Sequence, residues 1–163
     1  MAGFNEVIST QLKLNTGLFE QFSSDFSEDD AKFMPAEGSV HLNWILCHLA
    51  VSADQMVAKI SGQPQTLSPE LHEAYKGGSK CRKDDGMTRG EAWRLFTKTQ
   101  EATIGYIRNL DERQLSEAAP GTPNPMFKTI GDYVALLGAH GYWHFGQLTV
   151  IRRMLGKPAK FGG

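Results

Sequence analysis

The stretch TIGDYVALLGAHGYWHFGQLTVIRRMLG, residues 129–156, decides the interpretation of the fold. It opens on a capping box, because Thr129 is followed three residues later by Asp132, and it closes on Gly156, a residue type that commonly ends helices. Between these signals the apolar side chains recur at intervals of three and four residues, which is the period of a helix with one buried face. The stretch therefore predicts one long helix over residues 129–155.

Three other segments show the same period, and they are residues 4–22, 40–60 and 88–110. Ser39 is the expected N-cap of the second helix, and Thr88 opens a capping box at the start of the third. Four long helices bury four apolar faces most simply by packing together as a four-helix bundle. The sequence therefore predicts an all-α fold.

The connections between these helices constrain their directions. The links between the first and second helices and between the third and fourth are short enough for antiparallel neighbours. Residues 62–87 contain too many glycines and prolines for a regular helix, although residues 69–75 are compatible with one short turn. A connection of this length can run back along the bundle, so an up-down-down-up order is expected.

Length and charge exclude several classes of protein. A chain of 163 residues corresponds to one domain, residues 1–163, with a substantial core. Its 17 Lys and Arg against 18 Asp and Glu give no electrostatic case for binding nucleic acid or an anionic membrane. The sequence shows neither a transmembrane run nor a secretory signal, and Cys47 and Cys81 are too few for a disulfide framework. A cytoplasmic protein with reduced thiols is therefore expected.

Three histidines stand out because they lie well inside predicted helices. His140 and His144 are four residues apart, so both rings project from one helix face and can reach one metal ion. If the second and fourth helices are antiparallel, His48 lies about 18 Å from their shared end, and the midpoint of the other two lies about 20 Å from it. The three rings can therefore meet at one level.

Simpler interpretations stay open for each histidine. A single core histidine such as His48 is usually a buried ring satisfied by a hydrogen bond. The pair is equally compatible with ordinary packing, since H-x-x-x-H occurs by chance and here lacks the glutamate of a metalloprotease helix. Three neutral imidazoles buried together without a metal would, however, leave ring nitrogens unpaired, at on the order of 1–3 kcal/mol for each group. Metal binding removes that cost.

Other residues have weaker claims. His41 lies about 10 Å along the helix from His48, so it is expected to start the helix and not to be a fourth ligand. His72 lies in the long connection, and replacing it with alanine is expected to leave metal binding unchanged. Gln147 is compatible both with orienting a ligand and with simple packing. The glycines of the last helix suggest close approach by another helix or by a ligand, and these are Gly138, Gly141 and Gly146.

Two motifs resemble those of the DinB/YfiT-like family. Residues 39–50, SVHLNWILCHLA, resemble the second-helix motif, in which a histidine follows a short apolar stretch. Residues 140–148, HGYWHFGQL, with Arg152 and the LGKP of residues 155–158, resemble the family's H-x-x-x-H-x-G-Q-L-x-x-x-R ending. The order of helices agrees over nearly the whole chain, while the sharp motifs cover only these segments.

The resemblance implies a four-helix bundle, frequently dimeric, that holds a divalent metal ion through His48, His140 and His144. Characterised relatives include S-transferases that use low-molecular-weight thiols such as bacillithiol or mycothiol, and a maleylpyruvate isomerase. A homodimer is therefore expected. No catalytic residue follows from the motifs beyond the three metal ligands.

Three histidine ligands leave at least one coordination position open, as in catalytic zinc sites. Such an ion lowers the pKa of a bound water or thiol toward neutrality. Imidazole suits several metals, and zinc or nickel is expected here. The leading hypothesis is a metal-dependent thiol S-transferase or hydrolase that acts on a small electrophile. The alternative is a non-catalytic, metal-binding, stress-associated protein, and an open site beside a cavity would favour catalysis.

Overall fold

Long helices occupy the four segments whose apolar period predicted them. A computed structural model describes residues 3–121 and 124–161. Its helices are α1 (Phe4–Ser23), α2 (Glu28–Ala31), α3 (Leu42–Ser61), α4 (Pro69–Tyr75), α5 (Arg89–Asn109) and α6 (Ile130–Met154), with a short 3-10 helix at Glu112–Ser116. Across these ranges, β structure is limited to one isolated bridge between Ala118 and Thr129. The prediction of an all-α chain is confirmed. None of the helices described is long and apolar enough to cross a membrane.

The capping signals of the sequence fix most helix ends. The boxes at Thr88 and Thr129 form as predicted, each with reciprocal bonds to the acidic residue three positions later. The start of α3 differs from the prediction, because the Nδ1 atom of His41 accepts the backbone N–H of Trp44 at 3.1 Å. The predicted cap, Ser39, donates its hydroxyl to the carbonyl of Ala36 at 2.6 Å. The helix consequently begins at Leu42 and not at residue 40.

The short helix α2 lies in the connection between α1 and α3, a segment where no apolar period predicts a helix. It has the same kind of capping box as the long helices, with Ser27 and Asp30 bonded reciprocally. A helix of four residues cannot show an apolar period, so only the capping residues could have indicated it.

Helix α1 packs against α5 and α6, and α3 packs against the same two helices. Two glycines of α6 make the contact with α1 close. A Cβ atom added at Gly138 would lie 2.6 Å from Oε1 of Gln11, and one added at Gly141 would overlap the side chain of Asn15. The predicted close approach is therefore confirmed at these two positions. At Gly146 an added Cβ would meet no atom within 4 Å.

The apolar core forms two clusters along the long helices. One surrounds Phe19 and Phe96, and the other surrounds Leu12 and Ile107. The stretches between the clusters carry buried or half-buried polar side chains on all four long helices. These include Asn15 on α1, His48 and Ser52 on α3, Gln100 and Thr103 on α5, and His140 and His144 on α6. The three histidines of the candidate site therefore lie among the polar side chains that separate the two apolar clusters.

Candidate metal centre

Helices α3 and α6 bring the three predicted histidines together. One ring nitrogen of each lies within 4.8 Å of those of the other two, and the Nε2 atoms of His140 and His144 are 3.1 Å apart. His48 is buried, and the other two rings are half-buried. The expected convergence at one level is therefore found, while the role of these residues as metal ligands stays a prediction.

Hydrogen bonds at the outer nitrogens orient two of the rings. Nδ1 of His48 donates to the carbonyl oxygen of Tyr75 at 2.7 Å, and Nδ1 of His144 donates to Oε1 of Gln147 at 2.7 Å. Because these oxygens only accept, both protons sit on Nδ1, and the Nε2 atoms of both rings carry a free lone pair. This is the tautomer that a metal-binding imidazole needs, so the donor set fits a divalent ion. Gln147 thus orients a predicted ligand.

Ser52 is a polar neighbour that the sequence reasoning missed. Its hydroxyl lies 3.4 Å from Nε2 of His48. Several other helical hydroxyls bond instead to the carbonyl four residues earlier, and those of Thr16, Ser23 and Thr103 do so at 2.7–3.0 Å. Ser52 follows His48 by four residues, so its spacing on the helix was the signal that could have identified it.

Burial lowers the pKa of all three histidines, because it penalises the charged ring. For His140, burial and the neighbouring rings of His144 and His48 bring the pKa to about 3. The bonds to Tyr75 and Gln147 oppose the effect of burial at His48 and His144 without reversing it. The rings are therefore neutral at pH 7, which is the form that binds metal.

Two tryptophans flank the cluster. The indole of Trp44 stacks on the ring of His48, with 4.8 Å between centroids and 8° between planes. Trp44 also lines a cavity of about 470 Å³ that extends along α4. On the other side, Trp143 lies edge-on to His140, 6.0 Å away, and is 66% exposed. The site thus has one covered flank and one flank near solvent.

A fourth candidate ligand is not found within residues 3–121 and 124–161, where the group that could hold a metal ion consists of the three histidines alone. His41 is engaged elsewhere, since its Nδ1 accepts the N–H of Trp44 and its Nε2 donates to the carbonyl of Arg82 at 2.8 Å. The expectation that His41 starts the helix is confirmed. The arrangement leaves coordination positions for a water molecule or a substrate.

His72 lies in the long connection, as predicted, on the helix α4, which occupies the same residues 69–75 as the predicted short turn. Its side chain is buried. Its Nε2 donates to Oδ2 of Asp54 at 2.8 Å. His72 is a polar residue in a polar connection, but its hydrogen bond to the carboxylate of Asp54 holds it in the interior.

Arg152 belongs to the terminal motif but has a structural role. Its buried guanidinium donates to both carboxylate oxygens of Asp25, at 2.6 and 2.9 Å, and to the carbonyl of Phe22 at 2.9 Å. The hydrogen bond from Arg152 lowers the pKa of Asp25 to about 2. Arg152 thereby ties the end of α6 to the end of α1.

Cys47 is also structural, because burial and the nearby Asp85 raise the pKa of its thiol to about 12.

Comparisons with known proteins agree with this fold and site. The family model described as the DinB superfamily matches residues 11–148, a range that includes all three histidines. Curated proteins give no significant match. Among solved structures, a conserved protein from Enterococcus faecalis is 20% identical with a TM-score of 0.69, over 96% of this chain and 100% of that chain. At this identity the likeness concerns the fold. The family match covers most of the sequence, and the chain belongs to the DinB superfamily.

Proposed function

We propose that the protein is a metal-dependent enzyme that transfers a low-molecular-weight thiol to a small electrophile. His48, His140 and His144 hold one divalent ion, zinc or nickel. The observation that carries this proposal is the orientation of the rings, because two Nδ1 protons are held by carbonyl oxygens while one nitrogen of each of the three rings lies within 4.8 Å of the other two. The resemblance to thiol S-transferases supplies the reaction class.

The residues around the histidine cluster have different roles. Tyr75 and Gln147 fix the ring tautomers, and Trp44 covers His48 on one face. The half-buried edge near Trp143 provides the approach for a substrate. When bound, a divalent ion lowers the pKa of a coordinated thiol or water, and so supplies a thiolate or hydroxide near neutral pH.

The second candidate function is that of a non-catalytic, metal-binding, stress-associated protein. A structural site is closed by four protein ligands, whereas three donors leave a position open. The engagement of both His41 nitrogens in other hydrogen bonds favours the open site. We therefore prefer catalysis, and the alternative becomes an outcome of the experiment below.

The fold that we propose for this function is a four-helix bundle with up-down-down-up directions. An antiparallel α1–α5 pair is supported by the bond from Asn5 to the carbonyl of Leu110 at 2.7 Å. A parallel α1–α6 pair is supported by the bonds from Tyr142 to Gln11 and from Arg152 to Phe22. Because α1 and α3 both pack against α5 and α6, α1 lies diagonal to α3 and α5 lies diagonal to α6, so these two pairs are not the antiparallel neighbours that their short links suggested, whereas α3 and α5 are neighbours.

The functional test starts from protein purified without added metal or a histidine tag. We expect elemental analysis to find about one divalent ion per chain, and metal-loaded protein to conjugate a low-molecular-weight thiol to an aryl halide. Chelation should abolish turnover and leave far-UV circular dichroism nearly unchanged, because a core of this size needs no metal staple. Since burial lowers the histidine pKa values, protons should displace the metal only at a lower pH than they would from three exposed imidazoles.

Two outcomes would contradict the catalytic proposal. One is unfolding on chelation, which would assign the ion a structural role. The other is a fully loaded protein without turnover across a panel of thiols and electrophiles, which would favour the non-catalytic alternative.

We also propose that the protein is a homodimer formed through α1 and α6. Large apolar side chains are exposed on both helices, which pack against each other, and they include Leu14, Val150 and Met154. Sedimentation should give about 36 kDa, twice the 18.0 kDa of one chain. Val150→Glu should shift the mass toward 18.0 kDa, while Met126→Glu, at an exposed loop position, should not. A monomeric wild-type protein at micromolar concentration would refute the dimer.

A further inference from the structure

Asp54 is a buried carboxylate that neither motif includes. It lies on α3, six residues after His48, and is 6% exposed. Its two oxygens accept the backbone N–H groups of Thr66 and Leu67 at 3.0–3.1 Å, the hydroxyl of Thr66 at 2.6 Å, and Nε2 of His72 at 2.8 Å. Burial raises the pKa of Asp54, but these hydrogen bonds outweigh burial and hold it below its ordinary value. The carboxylate thus joins α3 to the segment that precedes α4 and to α4 itself.

The bond to His72 is an important anchor of α4. This helix has seven residues, too few to be stable alone, so its position depends on contacts with α3. The other ring nitrogen of His72, Nδ1, is buried and has no hydrogen-bond partner in the described part of the chain. The side chain of His72 is therefore held through Asp54.

Helix α4 reaches the candidate metal centre at its last residue. Tyr75 is buried, and its carbonyl oxygen accepts the Nδ1 proton of His48. A displacement of α4 would remove that acceptor and allow the ring of His48 to change tautomer or rotate. Partners that orient metal-binding histidines in this way typically change metal affinity by about 10–100-fold when they are lost.

We infer that Asp54 and His72 are positioning residues for His48, because together they fix α4 so that the Tyr75 carbonyl directs Nε2 of His48 toward the cluster. The inference rests on the proposed metal site. It replaces the expectation that a change at His72 leaves metal binding unaffected. A purely structural role would instead lower the stability of the protein and leave metal affinity intact.

The experiment compares zinc affinity, measured by competition with a chromophoric chelator, in matched variants. Asp54→Asn and His72→Leu should each weaken zinc binding by about 10–100-fold. His72→Gln keeps an N–H donor near the position of Nε2, so its loss should be only a few-fold. The control is Asp132→Asn, since Asp132 also accepts two backbone N–H groups, at 2.8 and 2.9 Å, but at the start of α6. Its zinc affinity should match the wild type despite a similar loss of stability.

A second measurement does not depend on metal. In metal-free protein the Nδ1–H of His48 should be protected from solvent exchange in nitrogen-15 NMR spectra, and Asp54→Asn and His72→Leu should reduce that protection. Wild-type zinc affinity and unchanged protection in both variants would overturn the inference. If Asp54→Asn does not fold, the comparison of His72→Leu with His72→Gln decides it. A wild-type protein that binds neither zinc nor nickel would refute the proposed function, while the exchange measurement would still test the connection from Asp54 through α4 to His48.

Discussion

His140→Ala and His144→Ala are each expected to abolish stoichiometric metal binding, taking the content from about one ion per chain to nearly none. The reason is the donor count, since the group consists of three histidines and either change leaves two. Two imidazoles without a further protein ligand do not hold an ion through desalting. Elemental analysis after gel filtration measures the result directly.

The control for this prediction is Gln147→Ala. It removes the acceptor of the His144 Nδ1 proton but keeps all three rings, so the ion should be retained with an affinity about tenfold or more below that of the wild type. Both histidine variants should keep the helical circular dichroism of the wild type, because loss of a half-buried neutral ring does not disrupt either apolar cluster. A full complement of metal in both His140→Ala and His144→Ala would exclude these residues as ligands.

The part of the site that the sequence predicts is the part that helical geometry determines. Two residues four apart on one helix must share a face, which brings His140 and His144 together. A rise of about 1.5 Å per residue fixes depth along a helix, which places His48 at their level once the two helices are antiparallel. The capping box at Thr129 fixes the residue from which the depth along α6 is counted.

The part that the sequence does not predict comes from the long connection. The Tyr75 carbonyl and the side chain of His72 depend on the path of residues 62–87, and no period specifies that path. Asp54 determines this path, because a buried carboxylate needs hydrogen-bond donors. Thr66, Leu67 and His72 supply them. The sequence alone shows the carboxylate but not the loop that folds around it.

The contact between Gly141 and Asn15 is the basis of the largest expected effect on stability. A methyl group at position 141 would overlap the whole end of the Asn15 side chain, with Cγ only 2.5 Å and Nδ2 only 2.7 Å away. Asn15 is fully buried, so its side chain cannot move out to solvent. We therefore expect Gly141→Ala to lower the free energy of unfolding by about 1–3 kcal/mol, the usual range for overpacking a core.

The same substitution at Gly146 is the matched control, on the same helix. No atom lies within 4 Å of an added Cβ there, so only the helix propensity of alanine acts, and Gly146→Ala should raise the free energy of unfolding by up to about 1 kcal/mol. Urea denaturation of the two variants should therefore give changes of opposite sign. Equal stabilisation by both changes would show that α1 and α6 are not in close contact at Gly141.

A double-mutant cycle isolates the contact itself. Both polar atoms of the Asn15 side chain are buried without hydrogen-bond partners in the described residues, so Asn15→Ala gives up no bond and opens the space that a methyl group at position 141 requires. In that background Gly141→Ala should stabilise the protein, as it does at Gly146, because the overlap is gone and the propensity of alanine remains. The reversal of sign would identify Gly141 as the residue that sets the distance between α1 and α6. Since α6 carries His140 on one side of this glycine and His144 on the other, the same contact fixes how two of the three rings meet His48.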